Sequence, residues 1–194
     1  MHADLTKVGA LESSFLSCEK DTETILRRLF IESQPHNATL KRLLVINTKD
    51  CLTNLDEPVY KKKLAEMSLP KLVQEGYIKL SPKIRMPEHE EIKAYIIISF
   101  DNFTPTGSSN YFRDCTIHFD IICHTDYWQM DNYQIRPLKI AGFIDGILNN
   151  AKLSGIGTLQ FLSCNELVLD ETLSGYCLTY VATHGSDDTI EPEE

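Results

Sequence analysis

The chain has 194 residues, of which 42% are apolar and 24% charged, and its formal net charge is −9. This length and composition are typical of a single globular domain with a sizeable core. The acidic balance excludes the overall basic character of most nucleic-acid-binding proteins, which need clustered Lys and Arg. The short basic run Lys61, Lys62 and Lys63 points to different sides of a helix and is expected to be a solvated face.

The sequence contains no predicted membrane span and no predicted secretion signal. Its purely apolar runs, such as residues 96–98, are far shorter than the roughly 18 residues that a spanning helix needs. The N-terminus lacks a basic start followed by an apolar stretch. We therefore expect a protein that stays in a cytoplasm while it is made.

Six cysteines show no Cys-x-x-Cys spacing and lie mostly in apolar, strand-like segments. This pattern predicts reduced, buried thiols without disulfides. The residues are Cys18, Cys51, Cys115, Cys123, Cys164 and Cys177.

The N-terminal part predicts an arm, a short helix and a strand. Residues 1–20 are weakly periodic and are a candidate N-terminal arm. Asp21 or Thr22 is a suitable cap for a helix over residues 22–33. The run "LKRLLVINT", residues 40–48, predicts a strand.

A second helix is predicted after Asp56, with an interruption at Pro70 and an end at Gly76. Its predicted apolar side is formed by Val59, Leu64 and Met67. The following segment, residues 77–84, predicts a strand, and Pro82 favours a position at the edge or end of that strand.

Two alternating segments, residues 94–100 and 115–124, predict antiparallel strands. In the second segment one face is apolar and the other mostly polar. The apolar face is formed by Cys115, Ile117, Phe119, Ile121 and Cys123. The connection, residues 101–114, is long for a hairpin loop, and loops of this length are usually functional or mobile.

The clearest predicted helix begins at Pro137 and runs to about Asn150. Its apolar stripe is formed by Ile140, Phe143, Ile144, Ile147 and Leu148. Gly142 and Gly146 lie four residues apart, a spacing that in a soluble helix favours close packing on a sheet.

Two further strands are predicted over residues 157–169 and 175–184, followed by an acidic tail, residues 186–194. The pattern therefore predicts an α+β fold. We expect a mixed or antiparallel sheet, one main amphipathic helix packed on it, and an N-terminal helical extension. Residues 21–185 would form the single domain, in which residues 36–76 add a strand and a helix.

No arrangement of residues indicates catalysis, a cofactor or a metal. Cys115 and His118 point to opposite faces of a strand. Cys115 and Cys123 share a face of that strand but lie roughly 26 Å apart, too far to bind one metal ion. No Gly-x-Ser-x-Gly elbow is present, and "SGIGT", residues 154–158, lacks the spacing of a phosphate-binding loop. We therefore expect no enzyme, and a small cytoplasmic enzyme or ligand-binding domain remains the alternative.

The order of elements in residues 77–185 resembles the tail terminator and related neck proteins of long-tailed bacteriophages. The matching stretches are "TIHFDIICHTD" before the main helix, "IAGFIDGIL" within it and "LTYVATH" in the last strand. Residues 36–76 depart from the simpler terminators, which leaves another neck, head-completion or tail-tube-associated protein as an alternative.

The resemblance implies a structural virion protein without catalytic activity. Such proteins form rings, commonly hexameric, that cap the finished tail tube and bind the head connector. The implied partners are further copies of the chain, the tail tube protein and the neck or connector proteins. DNA would pass without sequence-specific binding, and no membrane or cofactor is implied. The protein would be assembled in the host cytoplasm and reside at the head–tail junction of the virion.

Five aromatic residues are candidate interface residues in such a ring. Phe103, Tyr111 and Phe112 flank the polar loop, and three aromatics exceed what a free loop needs. This loop would act as a contact arm or reach toward the lumen. Tyr127 and Trp128 precede the main helix, and for these two residues packing in the core is the alternative.

Overall fold

A computed structural model gives the protein an α+β fold, as the sequence predicts. It describes residues 10–31, 33–34, 36–80, 93–105, 112–153 and 156–185. The helices are α1 (Ala10–Phe30), α2 (Asn37–Val45), α3 (Pro58–Glu66), α4 (Leu69–Gln74) and α5 (Arg136–Leu148). The strands are β1 (Ile78–Lys79), β2 (Ala94–Pro105), β3 (Phe112–His124), β4 (Lys152–Leu153), β5 (Gly157–Thr158), β6 (Gln160–Val168) and β7 (Leu173–Gly185).

Five of the strands form one mixed sheet in the order β1-β2-β3-β7-β6. β1 is parallel to β2, and all other neighbours are antiparallel. β4 and β5 form a separate two-stranded sheet. The predicted edge position of the strand after Gly76 is confirmed, since β1 lies at one edge, whereas Pro82 lies outside the described residues.

The predicted alternation in β3 is confirmed. Its odd-numbered residues from Cys115 to Cys123 are all buried in the main core. α5 packs on this face over β3 and β7, with Ile140 and Ile144 fully buried. α1 and α2 complete the helical layer, so the fold has two layers with the core between them.

The strand predicted over residues 40–48 is wrong, because residues 37–45 form the helix α2. Leu40, Leu43 and Leu44 are fully buried at helical spacing, which a short apolar run does not distinguish from a strand. The predicted arm, residues 1–20, is also revised: α1 begins at Ala10, and residues 1–9 lie outside the described part.

The predicted cap at Asp21 or Thr22 is wrong, since both residues lie within α1. Asp21 is buried, and the Thr22 hydroxyl donates to the backbone oxygen of Cys18 over 2.7 Å. The predicted stop at Gly76 is confirmed: this residue follows the C-cap of α4, Glu75, and has a φ of 73°, a conformation that favours glycine.

The connection predicted over residues 101–114 is shorter than expected. β2 continues to Pro105, which pairs with Arg113 of β3. A register shift between Asp101 and Thr104 accommodates the positive φ of Asn102. Bulges of this kind allow a strand to continue through an irregular sequence. Residues 106–111, which contain the centre of the polar loop, lie outside the described residues.

The expectation that Gly142 and Gly146 pack on the sheet is wrong, because both are exposed on α5. A Cβ atom at Gly142 would meet nothing within 4 Å. The close backbone approach occurs instead at Gly175 of β7, where a Cβ atom would lie 1.6 Å from the backbone oxygen of Ile121. The acidic tail, residues 186–194, lies outside the described residues.

Candidate assembly surface

β6 forms the edge of the main sheet opposite β1, and among the described residues it pairs only with β7. Seven of its nine residues are exposed. The exposed fractions of its large apolar side chains are 43% for Phe161, 59% for Leu162 and 68% for Val168. β6 therefore combines an open edge with apolar side chains that remain in contact with solvent.

The helical layer leaves the core-side face of β6 open. Through its register with β7, β6 directs Phe161, Cys164 and Glu166 to the same side as the buried residues Leu178 and Tyr180. All three β6 residues are nevertheless exposed. The core ends at Tyr180, so the sheet extends one strand beyond its helical cover.

Tyr180 forms the boundary between the core and this open strip. Its hydroxyl donates to Asp145 Oδ1 of α5 over 2.9 Å, and its ring meets the Phe161 ring edge-on at 5.9 Å. Burial, with the bond to Asp145 as a second cause, raises the pKa of Tyr180 well above its ordinary value. The phenol therefore stays neutral and anchors α5 to β7 next to the edge strand.

Trp128, a predicted interface residue, lies beside the same strip. Its ring centroid is 6.1 Å from that of Tyr176 in β7, and Tyr176 is paired with Glu166 in β6. Trp128 is half-buried and packs against the main core. The structure thus gives Trp128 a partial core role and places its remaining surface near the open edge.

Tyr127 is half-buried in a short 3-10 turn, Thr125–Tyr127, and its backbone oxygen accepts a hydrogen bond from Arg136 Nε at 3.0 Å. Arg136 is completely buried. Its other guanidinium nitrogens donate to the backbone oxygens of Leu43, Ile46 and Thr48. Arg136 therefore holds the segment before α5 against the end of α2.

Sequence reasoning missed Arg136, although a signal was present. A cation in the first turn of a helix is unfavourable with respect to the helix dipole. Arg136 is the first residue of α5, directly before Pro137. A positively charged residue at this position therefore indicates that its side chain binds another part of the chain. In this structure the guanidinium of Arg136 donates hydrogen bonds to backbone carbonyl groups.

A tight turn between Gln129 and Ile135 presents a second aromatic residue that sequence reasoning missed. Gln129 and Ile135 form an isolated bridge, and Asn132 and Tyr133 at the tip have φ values of 59° and 60°. This conformation costs a residue other than glycine about 1–2 kcal/mol. The Tyr133 side chain is 91% exposed, so burial of its ring within the chain does not offset that conformational cost.

The other predicted interface residues lie at the far end of the sheet. Phe103 belongs to β2, is half-buried and packs against the main core. Phe112 begins β3 and pairs with Gly185, but its side chain and all of Tyr111 lie outside the described residues. The 13-residue strand β3 separates this region from Trp128 by roughly 40 Å. The structure therefore does not bring the two predicted groups together.

The polar face of β3 carries a small cluster of titratable side chains. His118 Nδ1 lies 3.2 Å from Thr179 Oγ1 and 3.8 Å from Cys177 Sγ. Burial, with Asp120 as a further cause, raises the pKa of Cys177 to about 12. The thiol is thus protonated at neutral pH, which is the opposite of what a nucleophilic cysteine requires. In the described part of the chain no three metal-ligating side chains come together.

None of the six cysteines forms a disulfide in the structure. The prediction of burial holds for Cys51, Cys115 and Cys123 but is wrong for Cys164, which is exposed on β6. The strand pattern around Cys164 is correct, but the strand lies at an open edge. Of the helices described, none is long and apolar enough to cross a membrane.

Comparison with known protein families places the chain in one of them. None of the curated proteins matches the sequence. The YomW family profile matches residues 37–182, which include the open strand β6, the Gln129–Ile135 turn and Arg136. The match covers most of the chain and includes residues 37–76, which are nearly all of the segment that departs from simple tail terminators. The protein therefore belongs to the YomW family, a phage-type family.

Proposed function

We propose that the protein is a structural virion protein that forms a ring at the phage head–tail junction. It would cap the tail tube and join it to the neck, as the tail terminators that it resembles do. Membership of a phage-type family supports an association with a phage. The observation that carries the proposal is the open edge strand β6, with Phe161, Leu162 and Val168 exposed.

An open edge strand of this kind favours association with a partner. Its outer edge offers unpaired N–H and C=O groups, and proteins usually blunt such edges with Lys, Pro or a covering element. β6 contains neither Lys nor Pro, and Glu166 is its only charged residue. Covering the strand in an assembly would remove apolar side chains from water and protect the edge from unwanted pairing.

Ring formation explains why one edge is left open. A contact between two different surfaces of the same chain, repeated around an axis, closes into a ring when the rotation fits. The proposed ring would meet the tail tube protein on one side and neck or connector proteins on the other. After assembly in the host cytoplasm, the protein would remain in the virion.

Carboxylates on the face of the sheet that points away from the helices support a passage role over catalysis. Asp101, Asp114 and Asp120 all lie on this face by their register. Such carboxylates would repel the phosphates of passing DNA instead of binding them. The protonated Cys177 thiol likewise gives no support to a nucleophilic enzyme.

The test is a double substitution, Leu162→Lys with Val168→Lys, which places charges on the edge strand. Both side chains are exposed, so the fold should persist. We expect unchanged circular dichroism, loss of the oligomer by light scattering, and infected cells that contain filled heads and separate tails. The control is Ile31→Lys, which changes a similarly exposed apolar residue directly after the end of α1. Normal oligomers and normal phage titre in the double variant would contradict the proposal.

The predicted contacts of Tyr111 and Phe112 remain a prediction of the same kind. Replacing both by Ala should leave folding intact and impair assembly. The position of the ring in intact particles, determined by electron microscopy, separates a terminator from another neck or tail-tube-associated protein.

A ligand-binding domain is the second candidate because of one cleft. This cleft has a volume of about 490 Å³ and is lined by both apolar and polar side chains. Thr22, Ser99, Asp101 and His118 are its polar members. A stable monomer that binds a small molecule in this cleft, with binding lost in His118→Ala, would favour this candidate over the ring.

A further inference from the structure

We infer that the partner of β6 in the ring is α3 of a neighbouring copy of the same chain. The contact would be a helix lying against the open edge and core-side face of the last strand. This inference rests on the proposed ring and names the surfaces that form it.

α3 is a helix without a buried side chain. Val59 in its first turn is 67% exposed, and Leu55 just before it is 56% exposed. A nine-residue helix is marginal by itself, and most helices in proteins are stabilised by burying one face. The predicted apolar side of this helix is therefore only partly used within the chain: Leu64 is half-buried and Met67, just after the helix, is buried, but Val59 is open.

α3 is also basic in an acidic protein. α3 contains three lysines and one glutamate, whereas the whole chain has a formal charge of −9. Lys61 is paired with Asp56 at 2.7 Å in an exposed position, and Lys62 and Lys63 are exposed beside it. The surface thus combines an apolar residue with positive charges.

The β6 edge has the complementary character. Its exposed apolar residues are accompanied by Glu166 within the strand and by Glu171 in the turn that follows, and both glutamates are exposed. Apolar residues would meet Val59 and Leu55, and carboxylates would meet Lys62 and Lys63. Complementary charge of this kind mainly selects the partner and its orientation.

The two surfaces lie on opposite sides of the fold. α3 packs against α2, α2 lies over β2, and the following helix α4 contacts β1. These elements belong to the β1 side of the sheet, whereas β6 is the opposite edge. A contact from α3 to β6 is therefore head-to-tail and can continue from copy to copy, as a ring requires. Pairing of β6 with another β6 would use the same edge twice, leave α3 uncovered and stop at two chains.

Cys164 on β6 offers a direct test, because it is the one exposed cysteine among the described residues. Wild-type chains are mixed with a Val59→Cys/Cys164→Ser variant under assembly conditions and treated with a short bis-maleimide. We expect cross-linked dimers that contain one chain of each type. The matched control replaces wild type by Cys164→Ser and should lose these dimers. Cross-links from Cys164 to Cys164 between wild-type chains, without the mixed product, would overturn the inference.

Charge reversal gives an independent test. Lys62→Glu/Lys63→Glu and Glu166→Lys/Glu171→Lys should each weaken assembly, by roughly fivefold per contact for two exposed pairs. Chains that carry all four substitutions should assemble close to the wild-type level. A control with a single charge reversal on α1, Lys20→Glu, should have little effect. Further weakening in the fourfold variant, instead of restoration, would contradict the contact.

The outcomes separate this inference from the proposed function. Rings that are lost in Leu162→Lys/Val168→Lys but are unaffected by charge reversal on α3 would overturn the α3 contact alone. A wild-type protein that is monomeric at all concentrations and absent from purified virions would overturn both.

Discussion

Arg136 donates a hydrogen bond from Nη1 to the backbone oxygen of Leu43 over 2.7 Å, and this bond joins the first residue of α5 to the end of α2. The same nitrogen reaches the backbone oxygen of Ile46 at 3.0 Å. The last carbonyls of a helix have no partner within it and carry partial negative charge. The buried guanidinium therefore supplies both the donors and the charge that the end of α2 lacks.

Replacing Arg136 by Met should lower the free energy of unfolding by about 3 kcal/mol or more, because several buried carbonyl groups lose their donors. Urea unfolding followed by circular dichroism measures the change. The control is Lys139→Met on the same helix, where the side chain is exposed and an effect within about 0.5 kcal/mol is expected. Equal midpoints for the two variants would show that Arg136 does not hold the helices together.

Two glycines should respond to alanine in opposite directions. At Gly175 the new Cβ would lie 1.6 Å from the Ile121 oxygen and force β3 and β7 apart, so we expect a loss of at least about 1–3 kcal/mol. At Gly142 a Cβ meets nothing within 4 Å, so the helix should gain about 0.5–1 kcal/mol. Thermal unfolding of both variants provides the comparison. A stable Gly175→Ala protein would contradict the close approach of the two strands.

Stability should fall at alkaline pH. Burial raises the pKa of Cys115 and Cys123 from 9.0 to about 12, and that of Tyr95 from 10.0 to about 12. The unfolded chain therefore loses these protons first, and the stabilising effect of each group is complete below its unfolded pKa and declines above it. We expect a constant free energy of unfolding near neutral pH and a decline of roughly 1.4 kcal/mol per pH unit for each group between its two pKa values.

The matched variant for this prediction is Cys123→Ala. It removes one titrating group and should make the decline above pH 9 shallower, whatever its effect on stability at neutral pH. Parallel curves for the variant and the wild type would contradict the assignment.

The thiols should differ in reactivity in the native protein. Cys164 is exposed, whereas Cys51, Cys115 and Cys123 are buried. Maleimide labelling followed by mass spectrometry should modify Cys164 first and the buried three only after unfolding. Cys164→Ser should lose the fast reaction. All six thiols should react in unfolded protein that has not been reduced, and a lower number would indicate disulfides.

Local sequence patterns correctly predicted those elements in which the apolar residues recur with the period of a single secondary structure. The alternation in β3 correctly assigned Ile117 and Phe119 to the core, because successive strand residues point to opposite faces. The apolar stripe of α5 predicted a helix equally clearly. The run around Leu43 did not predict one structure, since three leucines within five residues fit a buried strand as well as a helix. Only the packing of α2 beside α5 decides between the two.

The candidate assembly surface was likewise predicted only in part from the sequence. The sequence by itself indicated an α+β fold, the main hairpin and Trp128 as a residue of interest. It did not reveal that Cys164 and Leu162 are exposed, because a local strand pattern does not show whether the strand lies inside the sheet or at its edge. Their exposure depends on the order of strands in the sheet and on how far α5 extends across it. Both are set by contacts between segments distant in sequence, so only the tertiary structure decides that β6 is an edge without a cover.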